Sequence, residues 1–349
     1  SGSYVHRMPM PPLPPEDSLM HQSADRLRPT DWFSREEIAT LTRRSNARGF
    51  LAISTVWLSI AATLAVCVVM PHPIVWLLAV IYLGNRQLAL AVLEHEAAHR
   101  TLFRHRWLND HLTDWLCARP IWQHVGKYRS HHNRHHKHAG LADDPDVSLY
   151  RSYPSTRAGF ARKLLRDMSG LTMLRVVLGL ALMDAGVLRW TVANSVERLP
   201  QTGRRWWSYP QRFLRNAMGV LITNALLAAV LIELGHGWLY GLWVAAFMCS
   251  FPVFVRIRSI AEHAMLPGGP DIRTNTRTTR AGWLARITVA PMHVNYHLEH
   301  HFMASVPYYR LPRLHRMLRE RHRITAPPGY AAVLAAASGR SVLPQPELP

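Results

Sequence analysis

The sequence predicts an all-α fold: a polytopic membrane protein whose four transmembrane helices form two hairpins beneath a helical, polar cap. Three observations predict it. Four apolar runs, each near the roughly 20 helical residues that cross a bilayer core, interrupt an otherwise basic chain. They pair off, with three residues between the members of each pair. Neither of these joints carries a Lys or Arg.

In chain order, Ser1-Gly2-Ser3 reads as an expression scar, and residues 1–30, rich in Pro and polar residues, read as disordered. Ser34-Arg35-Glu36-Glu37 is a capping box that opens a short amphipathic helix. The first span covers about 50–70 and has no charged residue. After Pro71-His72-Pro73 the second covers about 74–93, interrupted by Asn85-Arg86-Gln87. The stretch 94–212 is polar and basic. Within it, Met168 to Leu188 is moderately apolar but contains Arg175 and Asp184, which predicts a helix lying in the membrane interface. The third span covers about 213–234 and the fourth about 238–255, separated by Gly235-His236-Gly237. The membrane domain is thus expected over 31–325, and 326–349 reads as a Pro-rich tail.

The formal charge is +19, from 41 Lys+Arg against 22 Asp+Glu. The positive-inside rule makes the basic regions, both termini and the cap cytoplasmic. It accounts for the charge without nucleic acid, and no RNA-binding or zinc-finger motif is present. The three cysteines, Cys67, Cys117 and Cys249, are too scattered for a Cys-type zinc site, an iron–sulfur cluster or a disulfide framework. Arg86 would lie about 10 Å inside the second span. It either pairs within the bundle or lines a substrate tunnel.

Each hairpin returns to histidines. The clusters are His95-Glu96-Ala97-Ala98-His99, His132-Asn133-Arg134-His135-His136 and His297-Leu298-Glu299-His300-His301. Positions i, i+3 and i+4 of a helix share a face, so each cluster can converge on metal. Eight imidazoles exceed the needs of one tetrahedral zinc and suit two metals. Ligand type alone does not choose among iron, copper, zinc and nickel. His131, His135 and His138 form a competing stripe. The identical His-x-x-His-His spacing of the last cluster favours His132, His135 and His136.

HEAAH, HNRHH and HLEHH, in this order between hydrophobic hairpins, resemble the three histidine boxes of the membrane fatty acid desaturase/hydroxylase superfamily. NYHLEHHFMASVPYYRLPRLH (295–315), RSIAEHA (258–264) and NTRTT (275–279) resemble bacterial acyl desaturases in particular, and the likeness covers about 45–320. The resemblance implies a mushroom-like four-span fold with a cytoplasmic cap. It implies two non-haem irons as cofactor, O₂ as co-substrate and chemistry on an acyl chain. It also implies one more histidine ligand between the second and third boxes. His263 fits by position, although it also reads as an ordinary interfacial histidine. His105, His111, His124, His131, His138, His293 and His315 are left outside the set.

A ligating imidazole needs its second nitrogen oriented. Glu96, Glu262, Glu299 and Asp144 are the chosen candidates, from a group that also includes Glu94, Asp143 and Asp146. Asn295 resembles the family's polar residue near one metal. Arg86, Arg256 and Arg258 are candidate substrate contacts, the last two for an anionic headgroup, though surface charge explains them equally. Trp, Met and Phe residues of the second and fourth spans are candidate tunnel walls. No dinucleotide fingerprint is present, and Leu266-Pro267-Gly268-Gly269 lacks the histidine of a cytochrome b5 haem motif. Electrons are therefore expected from a separate carrier, a ferredoxin or a cytochrome b5-type protein with its reductase.

The expected reaction is desaturation of a chain carried on CoA, on acyl carrier protein or in a lipid, at a bacterial inner membrane. Hydroxylation, epoxidation and ketolation use the same boxes. HEAAH also matches the zinc-protease signature, but the third span's only acid, Glu233, lies at its far end, and six box histidines would stand idle. A ceramidase-type zinc hydrolase uses fewer, more scattered ligands. A metal transporter would place its ligands at the bilayer midplane.

Overall fold

A computed structural model describes residues 27–190 and 196–345. The expected disorder of 1–30 therefore falls mostly outside the described residues. Four helices in it are long and apolar enough to cross a membrane.

The capping box forms as expected at Arg35–Leu41 (α1), with reciprocal bonds between Ser34 and Glu37 of 2.9 and 3.1 Å. The first span is Asn46–Val69 (α2). Its buried residues Gly49, Ala52, Ile53, Val56, Ile60, Leu64 and Cys67 form one helical stripe, while Leu51, Leu58 and Val69 are exposed. After Met70-Pro71-His72 comes Pro73–Ala98 (α3), begun by a proline at its first position, where no N–H is needed. The Trp76 indole donates back to Cys67 O at 3.3 Å and ties α3 to α2. This helix runs unbroken from the apolar segment through the first histidine cluster, past the residue where hydropathy ends the span.

Between the second and third spans come Val125–His138 (α4), Arg157–Met168 (α5) and Leu171–Asp184 (α6). On α6, Leu171, Leu174, Leu178 and Leu182 make an exposed apolar stripe. A small antiparallel hairpin, Leu188–Trp190 (β1) with Val196–Arg198 (β2), departs from the all-helical expectation. Leu188 pairs with Arg198, and an Arg189–Glu197 ion pair of 2.7 Å bridges the two strands.

The third span is Ser208–Glu233 (α7) and the fourth Leu239–His263 (α8). Ala246–Ser250 of α8 is wound as a π-helix just before Pro252. Proline has no N–H for the carbonyl four residues back and crowds it, so the helix opens there. At this opening Ser250 Oγ donates to Val80 O at 2.7 Å, and a Cβ on Gly84 would lie 2.2 Å from Ser250 Oγ. Only glycine permits that approach of α3 to α8.

The polar break in the second span is a pin. Asn85, fully buried, donates to the carbonyls of Arg286 (3.2 Å) and Thr288 (2.7 Å), while Gln87 donates to Trp243 O at 2.9 Å. Arg86 bonds Asn85 Oδ1 at 3.0 Å and lies over the Tyr82 ring. This is the bundle-pairing alternative, and a tunnel role for Arg86 has no support.

His297–Phe302 (α9), Leu311–Glu320 (α10) and Tyr330–Ala337 (α11) follow. The last lies in the stretch read as a tail, yet Val333, Ala336 and Ala337 are buried against Ile260, Ala261 and Ala264 of the α8 end. Its sequence, YAAVLAAA, has strong helix propensity and small side chains that allow close packing. Pro327 and Pro328 obscured it by suggesting a loop.

Candidate metal centre

Four elements carry the nine predicted ligands to one place. The end of α3 brings His95 and His99. The second box on α4 brings His132, His135 and His136. The end of α8 brings His263, and α9 brings His297, His300 and His301. Their ring nitrogens gather in two sets: His95, His99, His132, His136 and His300, and then His135, His263, His297 and His301. Within each set the nitrogens lie within 4.8 Å of one another. The stripe through His131 and His138 is excluded. His131 Nε2 meets Asp146 at 2.7 Å and His138 Nδ1 meets Asp143 at 2.6 Å.

One expectation needs correction. The three histidines of a His-x-x-His-His box do not converge on one point. In α4, His132 and His136 join the first set and His135 the second. In α9, His297 and His301 join the second set and His300 the first.

The donors fit metal. Both ring nitrogens of His95, and single nitrogens of His99, His300 and His301, are buried with no hydrogen-bond partner. Buried polar atoms are almost always partnered, and a cation would satisfy one nitrogen of a ring such as His95. Nε2 of His136 lies 2.9 Å from Nε2 of His132 and 3.0 Å from that of His300, and His297 and His263 meet Nε2 to Nε2 at 3.0 Å. Metal–imidazole bonds of about 2.0–2.1 Å at right angles separate nitrogens by about 2.9 Å. Five imidazoles in one set also exceed tetrahedral zinc. The two sets adjoin through His136 and His301, stacked at 4.1 Å.

Burial, reinforced by neighbouring imidazoles, holds His132, His136, His297, His300 and His301 well below the usual histidine range. Burial brings His99 down to about 4. These rings are neutral, as metal ligation requires. His135 goes the other way. Burial alone would lower it, but the hydrogen bond its ring donates to Asp144 and the nearby Asp146 raise it.

The orienting groups are only partly those expected. Asp144, fully buried, meets His135 Nδ1 at 2.7 Å and is itself held by the Tyr150 hydroxyl (2.6 Å) and Asp146 N (2.9 Å). Glu262 lies 3.4 Å from His297 Nδ1. Glu96 lies 3.6 Å from His95 Nδ1, and its other oxygen accepts from the Thr101 hydroxyl and Tyr308 N. Glu299 faces no ligand. It accepts from the Thr278 hydroxyl and meets His315 Nδ1 at 2.6 Å, bracing α9 against α10. Asn295 donates to Thr279 O at 3.0 Å rather than to a histidine. Asn275 O, which meets His263 Nδ1 at 3.0 Å, went unforeseen, as did Tyr150 and His315. A backbone acceptor leaves no trace in residue type.

Arg256 and Arg258 are not free for a headgroup. Arg256 is bound to Asp167, and Arg258 donates to Glu262 at 2.6 Å.

A narrow cavity touches both sets, reaching His95 and His300 of one and His297 of the other. Its remaining wall is Val92 and Glu96 of α3 with Met292, Val294, Tyr308 and Leu311, a different selection from the expected span aromatics. Met292 and the adjacent His293 both have left-handed backbone, φ 52° and 57°. Such strain persists only where surrounding structure holds it.

The family model described as Fatty acid desaturase matches residues 71–332. The chain is 27% identical over 323 residues to a dihydrorhizobitoxine desaturase of Bradyrhizobium elkanii, covering 88% of this chain and 84% of the relative. It is 26% identical over 271 residues to a beta-carotene ketolase of Paracoccus sp. (strain PC1), covering 74% and 84%. It is 20% identical over 266 residues to an sn-1 oleoyl-lipid 12-desaturase of Anabaena variabilis, covering 71% and 69%.

Proposed function

The chain belongs to the fatty acid desaturase family, and on that premise we propose that it is an integral membrane di-iron enzyme that desaturates an acyl or lipid chain. The observation that carries this reading is the gathering of nine histidines from four elements into two adjoining sets, donors enough for two metals side by side. Two irons, bound by the nine histidines, would supply the O₂-dependent oxidation that abstracts hydrogen from an unactivated methylene.

The protein's own part is positional. Val92, Val294 and Leu311 present apolar wall to a methylene chain and exclude water from it. Asp144 fixes His135, and Glu262 faces the outer nitrogen of His297, so each ring presents its other nitrogen inward. Tyr308 spans cavity and ligand shell, lining the first and donating its N–H to Glu96. With the hairpin turns outside, the histidines and both termini lie on the cytoplasmic side of a bacterial inner membrane. The basic cap there suits an acidic electron carrier such as a ferredoxin.

Hydroxylation or ketolation is the second reading, favoured by the ketolase relative, which is nearly as similar as the first desaturase. Zinc proteolysis is disfavoured. The glutamate it would use as general base, Glu96, is occupied by Thr101 and Tyr308.

Mass spectrometry of lipids from a host expressing the chain separates the oxidative readings. Loss of two hydrogens supports desaturation, whereas gain of an oxygen atom would overturn it in favour of hydroxylation. Metal analysis of the purified protein should give two irons per chain. A single zinc would defeat both.

A further inference from the structure

Between α8 and the third box the chain makes a single helical turn, Trp283–Arg286, that the metal centre does not use. Trp283, Leu284 and Ile287 are 75%, 58% and 41% exposed, so three large apolar side chains within five residues stand uncovered by protein. The depth of this turn is fixed by α3. Asn85 donates to the carbonyls of Arg286 and Thr288 at 3.2 and 2.7 Å. At about 1.5 Å per residue, Asn85 lies about 18 Å from the Pro73 end of α3, inside a hydrocarbon core about 30 Å thick. The turn bonded to it therefore stands beside a membrane span, not above it.

The backbone of the turn is satisfied in the way lipid requires. Gly282 O accepts from Arg286 N and Trp283 O from Ile287 N, both at 3.1 Å. Leu284 O accepts from the Thr288 hydroxyl at 2.6 Å, and Ala285 O from Thr288 N at 3.2 Å and Ala290 N at 2.7 Å. The Asn85 amide supplies donors for Arg286 O and Thr288 O. In a surface loop water would serve these carbonyls. Hydrocarbon serves none, so irregular backbone at membrane depth must find its partners in protein. Arg286 is the turn's one charge, and its long stem lets the guanidinium rise to the headgroups while its neighbours stay among acyl chains.

We propose that residues 282–288 form a re-entrant turn embedded in the leaflet on the histidine side, with Trp283, Leu284 and Ile287 set against lipid acyl chains. A water-facing patch for a partner protein would have no need of the Asn85 bonds. The consequence reaches the metal centre. Met292 and Val294, which wall the inner cavity, follow the turn within a few residues, so that wall is held from inside the bilayer. The proposal rests on the reading of α3 as a membrane span and not on the oxidation.

The test uses the full chain in phosphatidylcholine vesicles and needs no turnover. Leu284→Cys and Ile287→Cys are labelled with an NBD fluorophore, as are two controls: Leu78→Cys on the exposed face of α3, and Arg151→Cys at an exposed position between α4 and α5. Wild type labelled in parallel gives the background from Cys67, Cys117 and Cys249. Quenching by doxyl-labelled lipid is compared with quenching by iodide in the buffer. The labels at positions 284 and 287 should behave like that at 78, with lipid quenching at least threefold the stronger, and the label at 151 should show the reverse. Iodide-dominated quenching at 284 and 287, beside a lipid-quenched position 78, would overturn the proposal and leave the span standing. Protection from both quenchers would also overturn it, in favour of a second copy or another protein on this face. If position 78 is itself quenched by iodide, the span reading falls and the turn falls with it. All four side chains are exposed, and either of positions 284 and 287 carries the test if the other variant does not fold.

Discussion

Replacing Asp144 tests whether the outer groups set the affinity of the centre. Its Oδ1 meets His135 Nδ1 and Asp146 N, and its Oδ2 accepts from the Tyr150 hydroxyl. In Asp144→Asn the amide oxygen can keep the first two bonds, and the new NH₂ can donate to Tyr150, whose hydroxyl turns to accept. All three hydrogen bonds survive and only the charge is lost. In Asp144→Ala three buried donors lose their acceptor, at about 1–3 kcal/mol each before any relaxation. Loss of a group that orients a metal-bound histidine costs about 10–100-fold in metal affinity. The expected series is therefore graded: Asp144→Asn near the tenfold end, and Asp144→Ala at or beyond the hundredfold end with a lowered unfolding midpoint. Asp143→Ala, at the exposed His138 pair, should match wild type. Chelator competition with iron quantified by mass spectrometry measures the affinities, and Asp144→Asn carries the test if the alanine variant does not fold. Wild-type iron affinity in both Asp144 variants would refute an orienting role for this carboxylate.

His136→Ala removes the ring that meets His132, His300 and His301 but leaves four imidazoles in its set, so it should cut turnover while much of the iron is kept, and His138→Ala should retain both; metal analysis and product formation check this. Asn85→Leu strips the buried amide donor from the carbonyls of Arg286 and Thr288 and should cost about 1–3 kcal/mol, read as a lower unfolding midpoint in detergent. Gly84→Val should force α3 from α8, since even a Cβ would meet Ser250 Oγ at 2.2 Å and Phe251 N at 3.0 Å. Poor yield of folded protein is expected, and a normally stable variant would show that the contact is not tight.

The spans and the gathering of the box histidines were legible because strong physical constraints act on them. A bilayer demands long uncharged runs, which residues 50–70 supply, and a helix demands the spacing seen in the boxes. What was not legible depends on contacts distant in sequence. Asn85 reads as a flaw in a span until the carbonyls of Arg286 and Thr288, some 200 residues on, are seen to need it. Glu299 sits inside a box and so seems bound to its histidines, yet it turns outward to His315. Arg256 and Arg258 looked like surface charge or headgroup contacts because nothing in their neighbourhood announces Asp167, and Glu262 one turn away was assigned elsewhere. The α11 helix was hidden by the prolines before it.

The division of ligands gives the box spacing a sharper meaning. Successive helical residues turn by about 100°, so i+4 lies about 40° to one side of i and i+3 about 60° to the other. In both α4 and α9 the i and i+4 histidines enter one set and the i+3 histidine crosses to the other. The first box, which has only i and i+4, serves a single set. His135 and His300 thus cross between the sets, one in each direction, but they are not equivalent. Removing His300 leaves four imidazoles in its set; removing His135 leaves three in its own and also strands Asp144. His135→Ala should therefore fall to about one iron per chain, while His300→Ala stays nearer two. Iron stoichiometry on the folded variants decides it. Greater iron loss from His300→Ala than from His135→Ala would mean that the two sets do not bind independently, and that the spacing reflects packing of the rings rather than a division between two metals.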